Sequence, residues 1–583
     1  MLFALLVYVK TRFELHGLSM FLLTIISTAA GSSNNGVGLT PTLGFSTWNW
    51  RQTCTTRAMV TPQVEAMVKR GLVKVGYTMF MADCAGPSRN AVDRSITLPD
   101  TQWPGGVENW NAYLHANGMK AGFYSDYGVH GCCSCPWQTN GQGANQSFGD
   151  AGYIARDMAE LAQWKTDYIK VDSCQPVNWR GGVPDDAAQY GKFRDAIRAT
   201  GRPIVYSIVG FKGSIALAAG KGYAWLNQTG NSWRTSQDIV YAWSKIMVNL
   251  DAQENVPGIE QLAGPGGFND LDMLMAFNPK ANLSAIEDAS HLALWAILKS
   301  PLLVSTDVAA LSADELAMLT NARMLSISQD ALGVQAARVA PSAHFAPGGA
   351  IYGASREDGY ATGPHQWWSA ESAADASTAG VVRFRNEASG LCLASSDSGV
   401  GVELSACSAQ QMSAVGWRWE PAVPASGGCA RIGSAAHPGQ CLSLSPVTGT
   451  SEFMRATLVA CSGAGQWARP AAKYLNLTVD SLGSCTHPAL NLDAAARSAT
   501  NVFAGPLEGG NRWAALLFNR GDANATITLD FGLLPGVDQE AAQVTELEAT
   551  EVWSGATLGS SVGTLTSKPL RKHESLFVIL SLI

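Results

Sequence analysis

Three pairs of polar residues share a spacing that could do chemistry: Tyr124 with Asp126, Lys170 with Asp172, and Asp270 with Asp272. Each pair is two residues apart and closes a short apolar run of β character. In a strand, residues i and i+2 point to one face, so Lys170 and Asp172 are expected to project together, as are Tyr124 and Asp126. A cation beside a carboxylate favours its ionised form. An ionised carboxylate in a low-dielectric pocket is what a covalent nucleophile needs, and Lys170 with Asp172 has that composition. One such pair alone reads as a structural ion pair. Five polar strand ends, counting Trp48 and Asp83 after two further runs, read as a site. Protonating a leaving group needs a second carboxyl, and Asp238 is the candidate, four residues after Arg234. On a helix that spacing is also a plain salt bridge. An adjacent guanidinium favours the ionised carboxyl, the wrong direction for an acid, whereas a second carboxylate nearby pushes back. Position alone does not choose.

The elements that must position these residues recur along residues 38–335. Eight β-rich runs are expected: Leu43–Asn49, Tyr77–Cys84, Lys120–Tyr127, Thr166–Cys174, Pro203–Gly210, Ala224–Gln228, Gly267–Leu274 and Pro301–Asp307. Amphipathic stretches such as Thr61–Gly71, Ala151–Gln163, Asp185–Thr200 and Ile286–Leu298 lie between them. Strand–helix alternation argues for a parallel sheet, and eight units in this length argue for an α/β fold of the closed (β/α)8, TIM-barrel type. Functional groups of such barrels sit at the C-terminal strand ends, where the polar residues lie here. An open doubly wound sheet is the competitor, but no Gly-x-Gly-x-x-Gly turn follows the first strand.

The chain is 583 residues long, carries a net charge of −7 and has only 15% charged residues, against about 25% in ordinary domains. Its Lys and Arg residues never cluster beyond a dipeptide, which argues against nucleic acid or an anionic membrane as partner. The 18 Trp read singly as core and collectively also fit stacking on sugar rings. No apolar run reaches the length of a spanning helix. Residues 1–31 read as a signal peptide or N-terminal leader, with apolar runs Met1–Val9 and Leu18–Ala30 around Lys10 and Arg12, and Met20 as an alternative start. Five glycosylation sequons, at Asn145, Asn227, Asn282, Asn476 and Asn524, accompany twelve cysteines. Together these predict the secretory route, to the exterior or a lysosome- or vacuole-like compartment.

After about residue 335 the pattern turns all-β. Residues 336–379 and 476–583 read as linker plus a C-terminal antiparallel β domain, with an insertion at 380–475. Two segments of the insertion look alike: a Cys-Leu strand (Cys392, Cys441), a second strand ending in Cys (Cys407, Cys461), then a Trp (Trp417, Trp467). One staple per repeat follows, Cys392–Cys407 and Cys441–Cys461. The repeats are similar to the ricin-type β-trefoil lectin repeat, which implies possible glycan partners for the insertion.

Several motifs in order resemble the glycoside hydrolase family twenty-seven α-galactosidases and α-N-acetylgalactosaminidases. They are Thr42-Leu-Gly-Phe-Ser-Thr-Trp48-Asn49, Gly122-Phe-Tyr124-Ser-Asp126, Tyr168-Ile-Lys170-Val-Asp172-Ser-Cys174, Trp233-Arg234 with Asp238, Gly267-Phe-Asn269-Asp-Leu-Asp272-Met273, and Ser328-Gln-Asp-Ala-Leu-Gly333. The late Ala504-Gly-Pro-Leu and Asn519-Arg520-Gly match the family's C-terminal domain. The resemblance implies that Asp172 is the nucleophile, that Asp238 is the general acid and then base, and that Trp48, Asp83, Tyr124, Lys170, Arg234 and Asp272 contact the sugar. It also implies disulfides Cys54–Cys84 and Cys132–Cys174, leaving Cys133 and Cys135 free or paired with each other; Cys429 and Cys485 stay unassigned.

Two departures stand out. The family carries two consecutive Asp after strand two, which grip the sugar's O4 and O6 side; here the first is Ala82 and only Asp83 remains. The galactosidases carry Cys-Glu-Trp after strand five, where this chain has Val209-Gly210-Phe211. The expectation is a retaining exo-glycosidase acting on terminal α-D-galactosyl groups of oligosaccharides or glycoconjugates. Related glycones, α-N-acetylgalactosamine or β-L-arabinopyranose, remain open, as does a carbohydrate-binding protein of weak activity. Two carboxylates supply the covalent and proton chemistry, so no metal or organic cofactor is needed.

Overall fold

The computed structural model describes residues 35–128, 131–138, 149–150, 152–174, 186–209, 224–236, 238–254, 259–340 and 500–583, with separate strands and turns between 352 and 491. The leader, Gly210, Phe211, Asn145, Asn476, Trp467, Cys429 and Cys485 lie outside the described residues.

Eight parallel strands form the barrel: β1 Leu43–Ser46, β2 Met79–Met81, β3 Lys120–Asp126, β4 Tyr168–Asp172, β5 Val205–Ile208, β6 Ser232–Arg234, β7 Phe268–Asp270 and β8 Leu302–Val304. They pair in the order β8-β1-β2-β3-β4-β5-β6-β7. The ring closes where the chain just beyond β7 meets β8, through Leu274 N–H donating to the Leu303 carbonyl at 2.9 Å. Each strand is followed by helix: α1 Arg57–Lys69, α2 Gly106–Ala116, α3 Ile154–Gln163, α4 Asp186–Ala199, α5 Ala224–Thr229, α6 Trp243–Glu254 and α7 Ala285–Ile297, with α8 Ala313–Leu319 and α9 Ala322–Ser328 after β8. Ser284 and Glu287 form a reciprocal capping box that fixes where α7 begins.

Strands buried on both faces need apolar side chains on both. Outward residues pack under the helices, as in the stack of Phe45 on Phe80 at 5.1 Å. Inward, methionines fill the lower barrel because their neighbours are glycines. A Cβ on Gly44 would lie 2.4 Å from the Met79 carbonyl oxygen, and one on Gly122 would lie 3.0 Å from the Met81 Cβ.

One expected strand is corrected. Ala224–Gln228 is helix, within α5, and the sixth strand is Ser232–Arg234. Ala, Leu and Gln favour helix locally, whereas β6 has three residues, too few for alternation to show. It is a strand because β5 and β7 pair with it on either side. Arg234 therefore lies inside a strand. The chain from Thr235 to Tyr241 is not helical among its described residues, so Arg234 and Asp238 are not a helical i,i+4 pair.

The C-terminal domain is a six-stranded antiparallel sheet, Ala337–Ala340, Thr500–Pro506, Arg512–Asn519, Ser575–Leu582, Glu546–Glu551 and Thr557–Val562 in spatial order. Its Phe503, Leu516, Phe518 and Phe577 join one apolar cluster with α7 residues Leu292 to Ile297. A separate antiparallel sheet is built from strands between Tyr352 and Asn491. Its edges differ from the 380–475 expected from the repeats. Tyr352–Ala354 and Ala489–Asn491 pair with each other, and Trp368–Ser372 pairs with Val381–Asn386, so all three belong to this sheet. Cys392 bonds Cys407 and Cys441 bonds Cys461, the pairs that the repeats suggested. Trp417 is fully buried and donates its indole N–H to the Leu393 carbonyl at 2.8 Å, so this Trp is core rather than a sugar platform. Among the described residues no helix is long and apolar enough to cross a membrane.

Candidate active site

The C-terminal ends of β2, β3, β4, β6 and β7 bring most of the expected residues to one place. Asp172 ends β4 and is 6% exposed. Its Oδ2 accepts the Tyr124 hydroxyl at 3.0 Å, and its Oδ1 accepts the backbone N–H of Ser173 at 2.8 Å. Two donors thus fix both oxygens. Burial first, then the surrounding carboxylates of Asp172, Asp83 and Asp126, push the Tyr124 phenol well above its ordinary value, so it stays a donor.

Lys170, one turn of the pleat below Asp172, donates to Asp83 Oδ2 at 3.0 Å. Burial alone would lower the lysine, but Asp83, Asp172 and Asp272 together hold it above its ordinary value, so the ammonium is charged. Asp83 is raised by its burial, with Lys170 pulling the other way. The backbone at Asp83 is pinned by the Thr47 and Thr55 hydroxyls, which donate to its carbonyl at 3.0 and 3.2 Å. Arg234, at the end of β6, bridges two acids: Asp272 Oδ2 at 2.9 Å and Asp238 Oδ1 at 3.4 Å. Burial would lower the guanidinium, and Asp272, Asp238, Asp270 and Asp172 outweigh it.

Asp272 adopts φ +81°, unusual for a residue with a side chain. The twist lets Asp270 Oδ1 accept the Asp272 N–H at 2.8 Å, while Asp272 Oδ2 accepts the N–H of Ile239 at 2.8 Å. The second contact ties the loop bearing Asp238 directly to a floor residue. The Asp238 side chain is 51% exposed. Trp48 opens the single helical turn after β1 and is half-buried.

Asp126 has another job. Its carboxylate accepts the N–H of Gly128 at 2.7 Å and of Cys174 at 2.8 Å, so it braces the chain beyond β4. The floor below the polar ring is a cavity lined by Met81, Tyr168, Lys170, Arg234, Asp270 and Met273, among others. Asp270, absent from the sequence-derived sugar contacts, faces this cavity, and burial raises it to about 6 against the pull of Arg234. Asp270 closes β7 as Asp172 closes β4, so its place at a polar strand end was visible in the sequence.

The disulfides depart from expectation. Cys54 bonds Cys135, Cys84 bonds Cys133, and Cys132 bonds Cys174. The expected Cys54–Cys84 bond is replaced, and Cys133 and Cys135 are neither free nor joined to each other. Spacing along the chain does not determine connectivity. In space, one segment after β3 reaches the ends of β1, β2 and β4, with Cα separations of 5.6, 5.5 and 5.2 Å. Because their sulfurs are bonded, the Asp-and-Cys clusters at these ends offer no thiolates to a metal.

Residues 45–330 match the family model for α-galactosidase A, and residues 498–580 match the model for the α-galactosidase C-terminal β-sandwich domain. A probable α-galactosidase of Dictyostelium discoideum is 31% identical over 318 residues, 54% of this chain and 75% of that one. The chain belongs to the α-galactosidase family. A human α-N-acetylgalactosaminidase is also 31% identical, over 52% of this chain and 73% of the relative. The structure of α-galactosidase from Saccharomyces cerevisiae with raffinose shares the fold, with a TM-score of 0.58 at 17% identity, covering 95% of this chain and 100% of that one. The two matched stretches flank residues 331–497, where the separate β sheet lies.

Proposed function

We propose that this member of the α-galactosidase family is a retaining exo-glycosidase that removes terminal α-galactose-type sugars. The observation that carries the mechanism is the buried, doubly anchored Asp172 carboxylate at the C-terminal end of β4, with half-exposed Asp238 on the loop bound to Arg234 and Asp272. Asp172 attacks the anomeric carbon as the bond to the leaving oxygen breaks, and Asp238 gives its proton to that oxygen. Water then attacks the glycosyl-enzyme, Asp238 takes its proton, and the bond to Asp172 breaks. Lys170, Asp83, Arg234 and Asp272 supply charged hydrogen-bond partners for sugar hydroxyls, and Trp48 supplies a flat apolar face. Exit through the secretory route is consistent with two sequon residues, Asn282 and Asn524, being exposed.

Ala82 favours a second reading of the glycone. It is buried at the end of β2, where the resembling family has a carboxylate for the O4 and O6 side. Loss of that group weakens a hexopyranose with a 6-hydroxymethyl more than a pentopyranose. A panel of p-nitrophenyl α-galactoside, α-N-acetylgalactosaminide and β-L-arabinopyranoside, run against Asp172→Ala, separates these readings and the non-catalytic one. An unmodified protein that turns over none of them, or that does so equally well as Asp172→Ala, is a binding protein. NMR of the first-formed anomer tests retention: release of the inverted sugar, or carboxyls about 6.5–9.5 Å apart rather than about 5–5.5 Å in a ligand-bound structure, overturns the nucleophile assignment.

A further inference from the structure

The helix that follows the loop of Asp238 touches the active site on one side and the C-terminal domain on the other. α6 spans Trp243–Glu254. Toward the site, its Gln253 Oε1 accepts the hydroxyl of Thr235, the residue after Arg234, at 3.0 Å, and its Asn249 donates to the Leu271 carbonyl, between Asp270 and Asp272, at 3.1 Å. Away from the site, Asp251 receives both guanidinium nitrogens of Arg520 at 2.5 Å each. Asp251 is buried and the Arg520 side chain is only 10% exposed, and this two-point pairing fixes angle as well as distance. At the start of α6, Trp243 stacks on His573 at 4.7 Å and meets the edge of Phe518 at 6.1 Å. His573 is held in turn by Glu287 at the start of α7, at 2.7 Å. Arg520, Phe518 and His573 all belong to the C-terminal domain.

Between these anchors runs the chain bearing Asp238, whose described residues are tied to the barrel by Arg234, which pairs with Asp238 at 3.4 Å and donates to the Ser236 carbonyl at 3.2 Å. Ile239 N–H reaches Asp272, and the Tyr241 hydroxyl donates to the Asn49 carbonyl at 2.6 Å. No disulfide among the described residues restrains it, in contrast to the β1–β4 side of the barrel. We infer that Arg520, with Trp243 and His573, positions the catalytic acid: the C-terminal domain sets the placement of Asp238 by clamping α6. This rests on the proposed role of Asp238, which the experiment tests separately.

The readout is kcat/KM for two α-galactosides, one of 2,4-dinitrophenol and one of methanol, with every enzyme in its full-length form. This quotient reports steps only through cleavage of the first bond. The dinitrophenolate leaves without a proton, whereas the methoxide must be protonated. The ratio of the two values is independent of how much of the protein is folded, so it separates acid positioning from general damage. Asp238→Asn should lower the methyl-to-dinitrophenyl ratio by about 10²–10⁴, the usual contribution of a general acid. Arg520→Ala and the milder His573→Gln should each lower it as well, Arg520→Ala by about 10–10²-fold, the scale of a displaced catalytic group. Arg520→Lys, which keeps charge but not the two-point fork, should fall between wild type and Arg520→Ala. If Asp238→Asn lowers the ratio but Arg520→Ala and His573→Gln leave it within twofold of wild type, the clamp does not position the acid and the inference fails alone. If Asp238→Asn leaves the ratio unchanged, the acid assignment fails and takes the inference with it.

Discussion

The two walls of the pocket are held by different means. The wall of β1–β4, which carries Asp83, Tyr124, Lys170 and Asp172, is stitched by three disulfides from one segment after β3. The wall of β6 and β7, which carries Arg234, Asp272 and the loop of Asp238, has no such staple among its described residues. It is held by hydrogen bonds, an ion-pair chain and the packing of α6 against the C-terminal domain. The difference follows from what each carboxyl must do. A nucleophile gains from a fixed, ionised, dry carboxylate with both oxygens oriented. An acid that becomes a base must exchange protons with water in every turnover, and the half-exposed Asp238 meets that need.

The largest expected effect tests the fixed wall. Asp172→Ala should lower kcat/KM on the preferred nitrophenyl glycoside by on the order of 10⁵–10⁶, the scale for removing a covalent nucleophile, with the fold kept as judged by circular dichroism. A loss below about 10² would mean that another group attacks the sugar.

The next sets the walls against each other in stability. Lys170→Met strands the buried Asp83 carboxylate, and breaking a buried pair costs about 3–5 kcal/mol. Asp238→Ala touches a half-exposed side chain whose partner Arg234 keeps Asp272, so it should shift stability by no more than about 0.5 kcal/mol. Urea denaturation of both variants checks the contrast. Equal costs would erase the distinction between the buried ion pair and the half-exposed acid.

A smaller effect concerns the glycone. Ala82→Asp restores a charged hydrogen-bonding group on the fixed wall, worth about 1.5–3 kcal/mol, or about 10- to 150-fold in kcat/KM on α-galactosides. If the unmodified enzyme already handles a galactoside at about 10⁵ M⁻¹s⁻¹, an ordinary value, neighbouring groups supply the missing contact and the gain should not appear.

A different effect, on stability alone, lies beneath the wall of β6 and β7. His291 on α7 is fully buried, its Nε2 accepts the Met275 N–H at 2.9 Å, and burial lowers it to about 3. The unfolded chain takes up this proton near pH 6.5, well before the folded one does. This group's contribution to stability is therefore complete above pH 6.5, drains as pH falls toward 3, and is gone below it. Thermal melting of His291→Gln, whose side-chain oxygen can still accept from Met275, should show a shallower fall in Tm between pH 6.5 and 3.5 than wild type. Parallel Tm curves would show that His291 is not the group responsible.

Much of the barrel was legible because its strands and helices announce themselves locally. β3 and β4 are long enough for their buried faces to show in the sequence, and α3, α4 and α7 carry an apolar stripe within a few residues of where the structure places them. The polar ends of β2, β3, β4 and β7 were legible for the same reason: a period of two needs only the neighbours two positions away. The misreadings are of another kind. β6 has three residues and becomes a strand only because β5 and β7 lie on either side of it. Ala224–Gln228, expected as a strand, takes the helix that its Ala, Leu and Gln prefer.

What the sequence determined by itself is the chemistry at hand and the order of its carriers: two carboxyls, Asp172 and Asp238, among Lys170, Arg234, Asp83, Tyr124 and Asp272, with Ala82 where the resembling family has an acid. What only the tertiary structure decided is which distant groups meet. The partners of Cys54 and Cys84, the tie from Ile239 to Asp272 and the clamp of Arg520 on Asp251, 269 residues apart in the chain, depend on ring closure and on one domain packing against another. Local preferences are set by a few adjacent dihedral angles, whereas contacts of that range must offset the loop entropy of closing hundreds of residues. Buried apolar area, not any local motif, supplies most of that compensation.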